Sequence, residues 1–205
     1  DTDAFTDLLQ TAASLAGVEI GADDESDVAL RVIADHARAT GFLVADGVMP
    51  SNEERGYVLR RVMRRAIRYG VKVGLTEPFL YKVVDVLVET MGDHYSELKQ
   101  RADFIREVVK GEEERFRETL DKGLSLLDQA MAALDEGGQL PGETAFKLHD
   151  TFGFPLDLTR LIADERGYTV DGEGYTAAME EQRAKGRAAW KGSGETAVAG
   201  AYREI

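Results

Sequence analysis

The longest regular pattern in the sequence lies between Tyr95 and Leu134. Apolar residues recur along it at helical spacing, at Leu98, Ala102, Ile105, Val109, Phe116, Leu120, Leu124, Leu127, Met131 and Leu134. At ~1.5 Å per residue, an unbroken helix of this length would reach roughly 60 Å. The polar run from Gly111 to Glu114 interrupts the apolar positions, so one helix, a kinked helix and two antiparallel halves all stay open.

Shorter segments with the same period flank this one. Apolar spacing predicts helices near residues 5–15, 28–40, 79–91 and 174–190, with Gly41 as a stop and Ser26 or Asp27 as a helix cap. No segment alternates convincingly with period two. We therefore expect an all-α fold, a helical bundle with one long helix and two helical subdomains, 1–92 and 93–190, followed by a linker at 191–205. The chain begins without Met, and its final stretch is rich in small residues, so we expect a piece of a larger protein.

A basic amphipathic helix follows the turn Asp46-Gly-Val-Met-Pro-Ser-Asn52. From Arg55 to Lys72 there are seven basic residues and no acidic one. They are Arg55, Arg60, Arg61, Arg64, Arg65, Arg68 and Lys72. The apolar residues Leu59, Val62, Met63, Ala66 and Ile67 alternate with them at helical spacing. The pattern predicts one face packed on a core and one face suited to an anion such as RNA phosphate, or to acidic groups of the protein itself.

Composition limits the function classes. The net charge is −13, which argues against indiscriminate nucleic-acid binding, so any polyanion must meet a local basic surface. There is no cysteine, and the three histidines at 36, 94 and 149 lack ligand spacing, so we expect no metal site. We also expect no membrane-spanning segment, because no apolar run approaches ~20 residues, and we expect a cytoplasmic location.

Four ordered motifs carry a family resemblance. They are Arg31-Val-Ile-Ala-Asp-His36, Asp46-Gly-Val-Met-Pro-Ser-Asn52, Arg55-Gly-Tyr-Val-Leu-Arg-Arg61 and Asp150-Thr-Phe-Gly-Phe-Pro-Leu-Asp157. Together they closely resemble alanyl-tRNA synthetases, which are class II enzymes. Glu54 departs from the pattern, because glycine or another turn-tolerant residue is expected before Arg55-Gly-Tyr57.

The resemblance implies the helical region that reads the tRNA acceptor stem, between an adenylate-forming core and an editing domain. It implies ATP-dependent ligation of alanine to tRNA, with ATP, Mg²⁺ and the zinc of the editing domain held outside this chain, which alone should be inactive. The implied partners are the tRNA(Ala) acceptor stem and the catalytic and editing domains of the same protein.

By motif position, the resemblance assigns recognition of a G·U wobble pair in the minor groove to Asn52 and Asp150. The seven basic residues are expected to hold the tRNA backbone. The chemistry is consistent, since an ionised Asp accepts from the guanine amino group and an Asn can donate to a pyrimidine O2. Two other interpretations stay open: Asn52 and Asp150 could simply cap helices, and the chain could be a helical protein-interaction scaffold with a basic docking face.

Overall fold

Helices form nearly all of the regular structure. The computed structural model describes residues 3–189. In chain order the elements are α1 (Asp3–Ala16), α2 (Asp24–Ala45), α3 (Glu54–Lys72), α4 (Leu80–Met91), α5 (Ser96–Gln100), α6 (Ala102–Ala132), β1 (Gln139–Leu140), α7 (Gly142–Phe152), α8 (Leu156–Glu165), β2 (Thr169–Val170) and α9 (Gly172–Ala189). The all-α expectation is confirmed, with one two-residue parallel strand pair added.

The described residues form two compact units, one of residues 3–124 with 152–155 and the other of residues 125–151 with 156–189. This division falls inside α6, and the subdomain bounds expected from the sequence, 1–92 and 93–190, stay a prediction. Ile105, Val109 and Phe116 in the first half of α6 are buried and belong to the first unit. The segment 191–205, expected to be a linker, lies outside the described residues.

The first unit is built around α2, which packs against α1, α3 and α4. Gly41 does not end α2, as the sequence suggested; the helix continues to Ala45. A Cβ at Gly41 would lie 2.4 Å from Leu87 Cδ2, so glycine is needed there for the close approach of α4. The N-terminal cap of α2 is also corrected, because Asp23 accepts from Ser26 N at 2.8 Å.

The long helix α6 is continuous through Gly111-Glu112-Glu113-Glu114, which settles the alternatives left open by the sequence. Glu113 is fully buried and points to the start of α4, where its carboxylate accepts from Phe79 N and Leu80 N at 3.1 and 2.8 Å. Arg117 donates to the same carboxylate from Nε and Nη2, at 2.9 and 2.8 Å. Burial raises the pKa of Glu113, although these hydrogen bonds act in the opposite direction and lower it.

The second unit contains the end of α6 and the elements from β1 to α9, except for residues 152–155. Strand β1 pairs in parallel with β2, with Gln139 opposite Thr169 and Leu140 opposite Val170. The buried apolar side chains of the second unit include Leu127, Leu140, Leu148, Leu158 and Ile162. Within residues 3–189, no helix has the length and hydropathy needed to cross a membrane.

Candidate nucleic-acid interface

The turn between α2 and α3 carries Asn52. Gly47, with a φ of 86°, follows the end of α2. Farther along the turn, Ser51 Oγ donates to Glu53 O at 2.9 Å and accepts from Glu53 N at 3.3 Å. These bonds close a local polar turn around Asn52, whose side chain is exposed.

Gly56 allows this turn to lie directly against the first turn of α3. A Cβ at Gly56 would lie 2.2 Å from Ser51 Oγ and 2.3 Å from the backbone oxygen of Met49. The hydroxyl could rotate away, but the carbonyl is part of the turn itself. Glycine is therefore required here by close packing, and it fixes where the chain on either side of Asn52 can go.

Glu54 adopts a left-handed backbone conformation at the start of α3. Its φ is 48°, and among the described residues it alone combines a side chain with a positive φ. Such a conformation costs a residue with a Cβ roughly 1–2 kcal/mol. This is the position at which the sequence led us to expect glycine or another turn-tolerant residue, and the backbone geometry gives the physical reason.

Arg60 connects the turn to the long helix. Its Nη1 donates to Asn52 Oδ1, and its Nη2 donates to Glu112 Oε2 at 3.3 Å and reaches Pro50 O at 3.5 Å. Its Nε lies 3.0 Å from Glu112 Oε1, an ion-pair contact whose angle does not make a hydrogen bond. One guanidinium thus contacts the side chain of the turn, the backbone of the turn and a carboxylate on α6.

Arg64, one helical turn later, contacts the same carboxylate. Its Nε and Nη2 donate to Glu112 Oε1 at 3.2 and 2.8 Å, and its Nη1 donates to Gly153 O. The guanidinium also lies over the ring of Phe116, 4.9 Å from the ring centre. Burial lowers the pKa of Arg64, and the nearby Glu112 opposes that shift.

Glu112 is the centre of this cluster. Its side chain is 1% exposed, while those of Arg60 and Arg64 are 20% and 12% exposed. A carboxylate removed from water in this way needs charged partners, and two arginines supply them at hydrogen-bonding distance. A third, Arg115, is 68% exposed and lies 3.7 Å away.

The structure therefore divides the seven basic residues of α3 into two groups. Arg60 and Arg64 turn toward Glu112 and bind its carboxylate. Of the other five, Arg55 and Arg61 are exposed, and Arg65, Arg68 and Lys72 are half-buried, as are Arg60 and Arg64. Lys72 Nζ lies 2.9 Å from Glu25 Oε1. The five define the outer basic surface of α3: Arg55, Arg61, Arg65, Arg68 and Lys72.

Asp150 lies in the last turn of α7 and is exposed. Its side chain has no hydrogen-bond or ion-pair partner within residues 3–189. Asp150 belongs to the second unit, whereas Asn52 and the basic residues of α3 belong to the first. The tertiary structure thus brings Asn52, Arg60, Arg64 and Glu112 together and leaves Asp150 on the other unit.

The capping interpretation of Asn52 and Asp150 is wrong. The N-cap of α3 is Glu53, which makes no side-chain capping bond, and the Asn52 side chain bonds to Arg60 instead. Asp150 lies near a helix C-terminus, where the helix dipole disfavours a negative charge. Neither residue is therefore placed where it would stabilise a helix end.

Sequence reasoning missed Glu112 as a partner of the basic residues. The signal was present, because the stretch from Gly111 to Glu114 puts acidic residues where the apolar pattern of α6 should continue. A carboxylate on the inner face of a helix requires a cation from a neighbouring element.

Within residues 3–189, no group of three or more acidic or histidine side chains could hold a metal ion.

Comparison with known proteins gives consistent matches along the chain. The family model described as tRNA synthetases class II (A) matches residues 1–204. The alanine–tRNA ligase of Nitratidesulfovibrio vulgaris is 51% identical over 207 residues, covering 100% of this chain and 24% of that protein. The alanine–tRNA ligase of Jannaschia sp. is 54% identical over 205 residues, covering 100% of this chain and 23% of that protein. The alanine–tRNA ligase of Dinoroseobacter shibae is 55% identical over 197 residues, covering 96% of this chain and 22% of that protein. The chain thus spans about a quarter of the length of the curated relatives it matches.

Proposed function

The chain belongs to the class II tRNA synthetases, and from this premise we propose that it recognises the acceptor stem of tRNA(Ala) by reading a G·U wobble pair from the minor groove. The proposed readers are Asn52 and Asp150. A-form RNA presents a wide, shallow minor groove in which the guanine amino group is the informative donor.

The observation that carries this proposal is the orientation of the Asn52 carboxamide. Arginine is only a donor, so the atom that faces Arg60 must be the carbonyl oxygen. The amide nitrogen then faces away from Arg60, on an exposed side chain. That nitrogen is the group needed to donate to a pyrimidine O2.

Asp150 supplies the complementary acceptor in this proposal. In a wobble pair the guanine amino group is not used by the partner base, so a carboxylate can accept from it. Asp150 is exposed, and among residues 3–189 it has no competing donor. A polar contact of this kind contributes ~1–3 kcal/mol to discrimination between base pairs.

The outer basic surface of α3 supplies contacts to the RNA backbone. Its members are Arg55, Arg61, Arg65, Arg68 and Lys72. Backbone contacts carry no base information, but they raise affinity by releasing counterions, so binding weakens as salt increases. Arg60 and Arg64 act differently, because both are engaged with Glu112.

The larger reaction to which this recognition belongs is ATP-dependent ligation of alanine to tRNA, with the tRNA 3′ end directed to a catalytic site outside this chain. ATP and Mg²⁺ serve that site, and zinc serves an editing domain. The catalytic and editing domains of the same protein are the proposed partners of this chain besides tRNA, and isolated residues 1–205 are expected to have no ligase activity.

The test measures binding of the chain to three acceptor-stem hairpins at two salt concentrations. The hairpins differ only at the position of the wobble pair, which is G·U, G·C or A·U. We expect preference for the G·U hairpin, and we expect Asn52→Ala and Asp150→Ala each to reduce it by about tenfold. Asp164→Ala is the matched control for Asp150→Ala, because Asp164 is also exposed near a helix C-terminus of the second unit.

Two outcomes contradict the proposal. Equal binding of all three hairpins removes base recognition, and an unchanged preference in both variants removes these residues as the readers. Salt-dependent binding without any preference for RNA over an acidic polypeptide would favour the alternative, a helical protein-interaction scaffold with a basic docking face.

A further inference from the structure

The orientation of a carboxamide side chain is not fixed by its own chemistry. The oxygen and nitrogen of asparagine exchange places by a half-turn about the last side-chain bond, and both arrangements fit the same space. In solvent an exposed asparagine samples both. A site that needs one donor at one place must therefore be held by a neighbour with a defined hydrogen-bonding character.

Arg60 has that character. It presents only donors, so it accepts the oxygen side of Asn52 and rejects the nitrogen side. An asparagine turned by half would place its NH₂ group against an arginine NH₂ group, with no hydrogen bond and with the positive charge of the guanidinium close by. Arg60 thereby selects the arrangement in which Asn52 presents its amide nitrogen.

Arg60 can perform this selection because Glu112 holds it. The carboxylate of Glu112 is 1% exposed and lies on α6, the longest helix, so it has little freedom to follow a moving guanidinium. Arg64 occupies Glu112 Oε1 with two further hydrogen bonds, which fixes the carboxylate from the other side. The guanidinium of Arg60 spans the distance between this anchor and the turn.

We propose that Arg60, anchored by the buried Glu112, is a positioning residue that determines base-pair specificity by fixing the carboxamide orientation of Asn52. This inference rests on the proposed reading of the wobble pair by Asn52. It assigns to Arg60 a role in specificity, and not the role of a phosphate contact that its place in the basic helix suggested.

The role requires a forked side chain and not only a positive charge. Lysine at position 60 keeps the charge, but its single ammonium group cannot hold Glu112 and face Asn52 Oδ1 through two separate nitrogens. Arg60→Lys should therefore separate specificity from electrostatic affinity.

The experiment measures the binding ratio of G·U to G·C acceptor-stem hairpins, and the salt dependence of G·U binding, for the wild-type chain and four variants. They are Arg60→Lys, Asn52→Ala, the double variant, and Arg106→Lys as a control. Arg106 pairs with Asp85 at 2.9 Å in the same unit, so its replacement tests the general cost of exchanging an ion-paired arginine for lysine. Thermal unfolding of each variant checks that it is folded.

The expected result is a loss of preference of about tenfold in Arg60→Lys, as in Asn52→Ala, with an unchanged salt dependence. The double variant should be no worse than Asn52→Ala alone, since Arg60 acts on specificity only through Asn52. Arg106→Lys should keep the wild-type ratio. A merely structural role of Arg60 would not produce this lack of additivity.

Two results separate the failure of this inference from failure of the proposed function. If Asn52→Ala loses the preference while Arg60→Lys keeps it, the positioning role is refuted and the reading of the pair by Asn52 stands. If Asn52→Ala and Arg60→Lys both keep the preference of the wild type, the reading of the pair by Asn52 is itself refuted, and the positioning role falls with it.

Discussion

Replacing Gly56 by alanine tests whether the turn of Asn52 is held by close packing. The added methyl carbon would lie 2.3 Å from Met49 O, whereas an ordinary contact needs ~3.5 Å, so the turn must move by about 1 Å. Forced overpacking costs ~1–3 kcal/mol, and the better helix propensity of alanine returns roughly 1 kcal/mol. We expect a net loss of up to about 2 kcal/mol in the free energy of unfolding.

Gly111→Ala is the matched control. Gly111 lies inside α6, and a Cβ there would meet only Arg115 Nη2, at 3.9 Å. This substitution should therefore stabilise the chain by roughly 0.5–1 kcal/mol, through helix propensity alone. The two glycine-to-alanine changes are thus expected to have opposite signs.

The assay is unfolding in urea, supported by thermal unfolding. For a chain of this size the expected loss in Gly56→Ala corresponds to a fall of up to roughly 8 °C in the melting temperature. The G·U preference should also decrease, because the displaced turn carries Asn52. If Gly56→Ala raises stability as Gly111→Ala does, the close approach between the turn and α3 is not a feature of the folded protein.

Further predictions concern three other residues. Glu54→Gly should stabilise the chain by about 0.5–1 kcal/mol in urea unfolding, because it relieves the left-handed conformation with φ of 48°; a loss of stability would contradict that strain. Glu112→Ala should cost about 3 kcal/mol in the same assay, since Arg60 and Arg64 would lose their buried carboxylate partner. The control is Asp128→Ala, which removes an exposed ion pair with Arg166. A smaller cost for Glu112→Ala than for Asp128→Ala would argue against the cluster. Burial lowers the pKa of His36 below 6.5, so the unfolded chain takes up that proton at higher pH than the folded one, and stability should fall as pH decreases below about 6.5. Comparing unfolding at about pH 7.5 and about pH 5.5 in wild type and His36→Gln checks this, and an identical pH dependence in both would exclude His36 as the cause.

Much of the fold was accessible from local patterns. The spacing of the apolar residues predicted the inner face of α3. Leu59, Met63, Ala66 and Ile67 are buried, and Val62 is half-buried. The helical period is a property of the chain itself, so it can be read without knowledge of neighbours. The end of α2 was different. Gly41 has the local character of a helix stop, but the packing of Leu87 against it requires glycine within the helix.

The family could also be recognised from the sequence, since four ordered motifs carried the resemblance, and the comparisons confirm it. The roles of Asn52 and Asp150 came from that resemblance and not from composition or spacing. They stay predictions, now supported by the exposure of both side chains and the absence of a capping role.

The sequence by itself determined that the chain is helical, that α3 has an apolar and a basic side, and which family it belongs to. Only the tertiary structure decided which arginines face inward, because a helical period gives the direction of a side chain from its own axis but not what the neighbouring helix presents there. Glu112 on α6 makes that choice for Arg60 and Arg64. Glu112 also holds Arg60, which lies 52 positions earlier in the sequence. The hydrogen bond from Arg60 then sets the orientation of the Asn52 carboxamide.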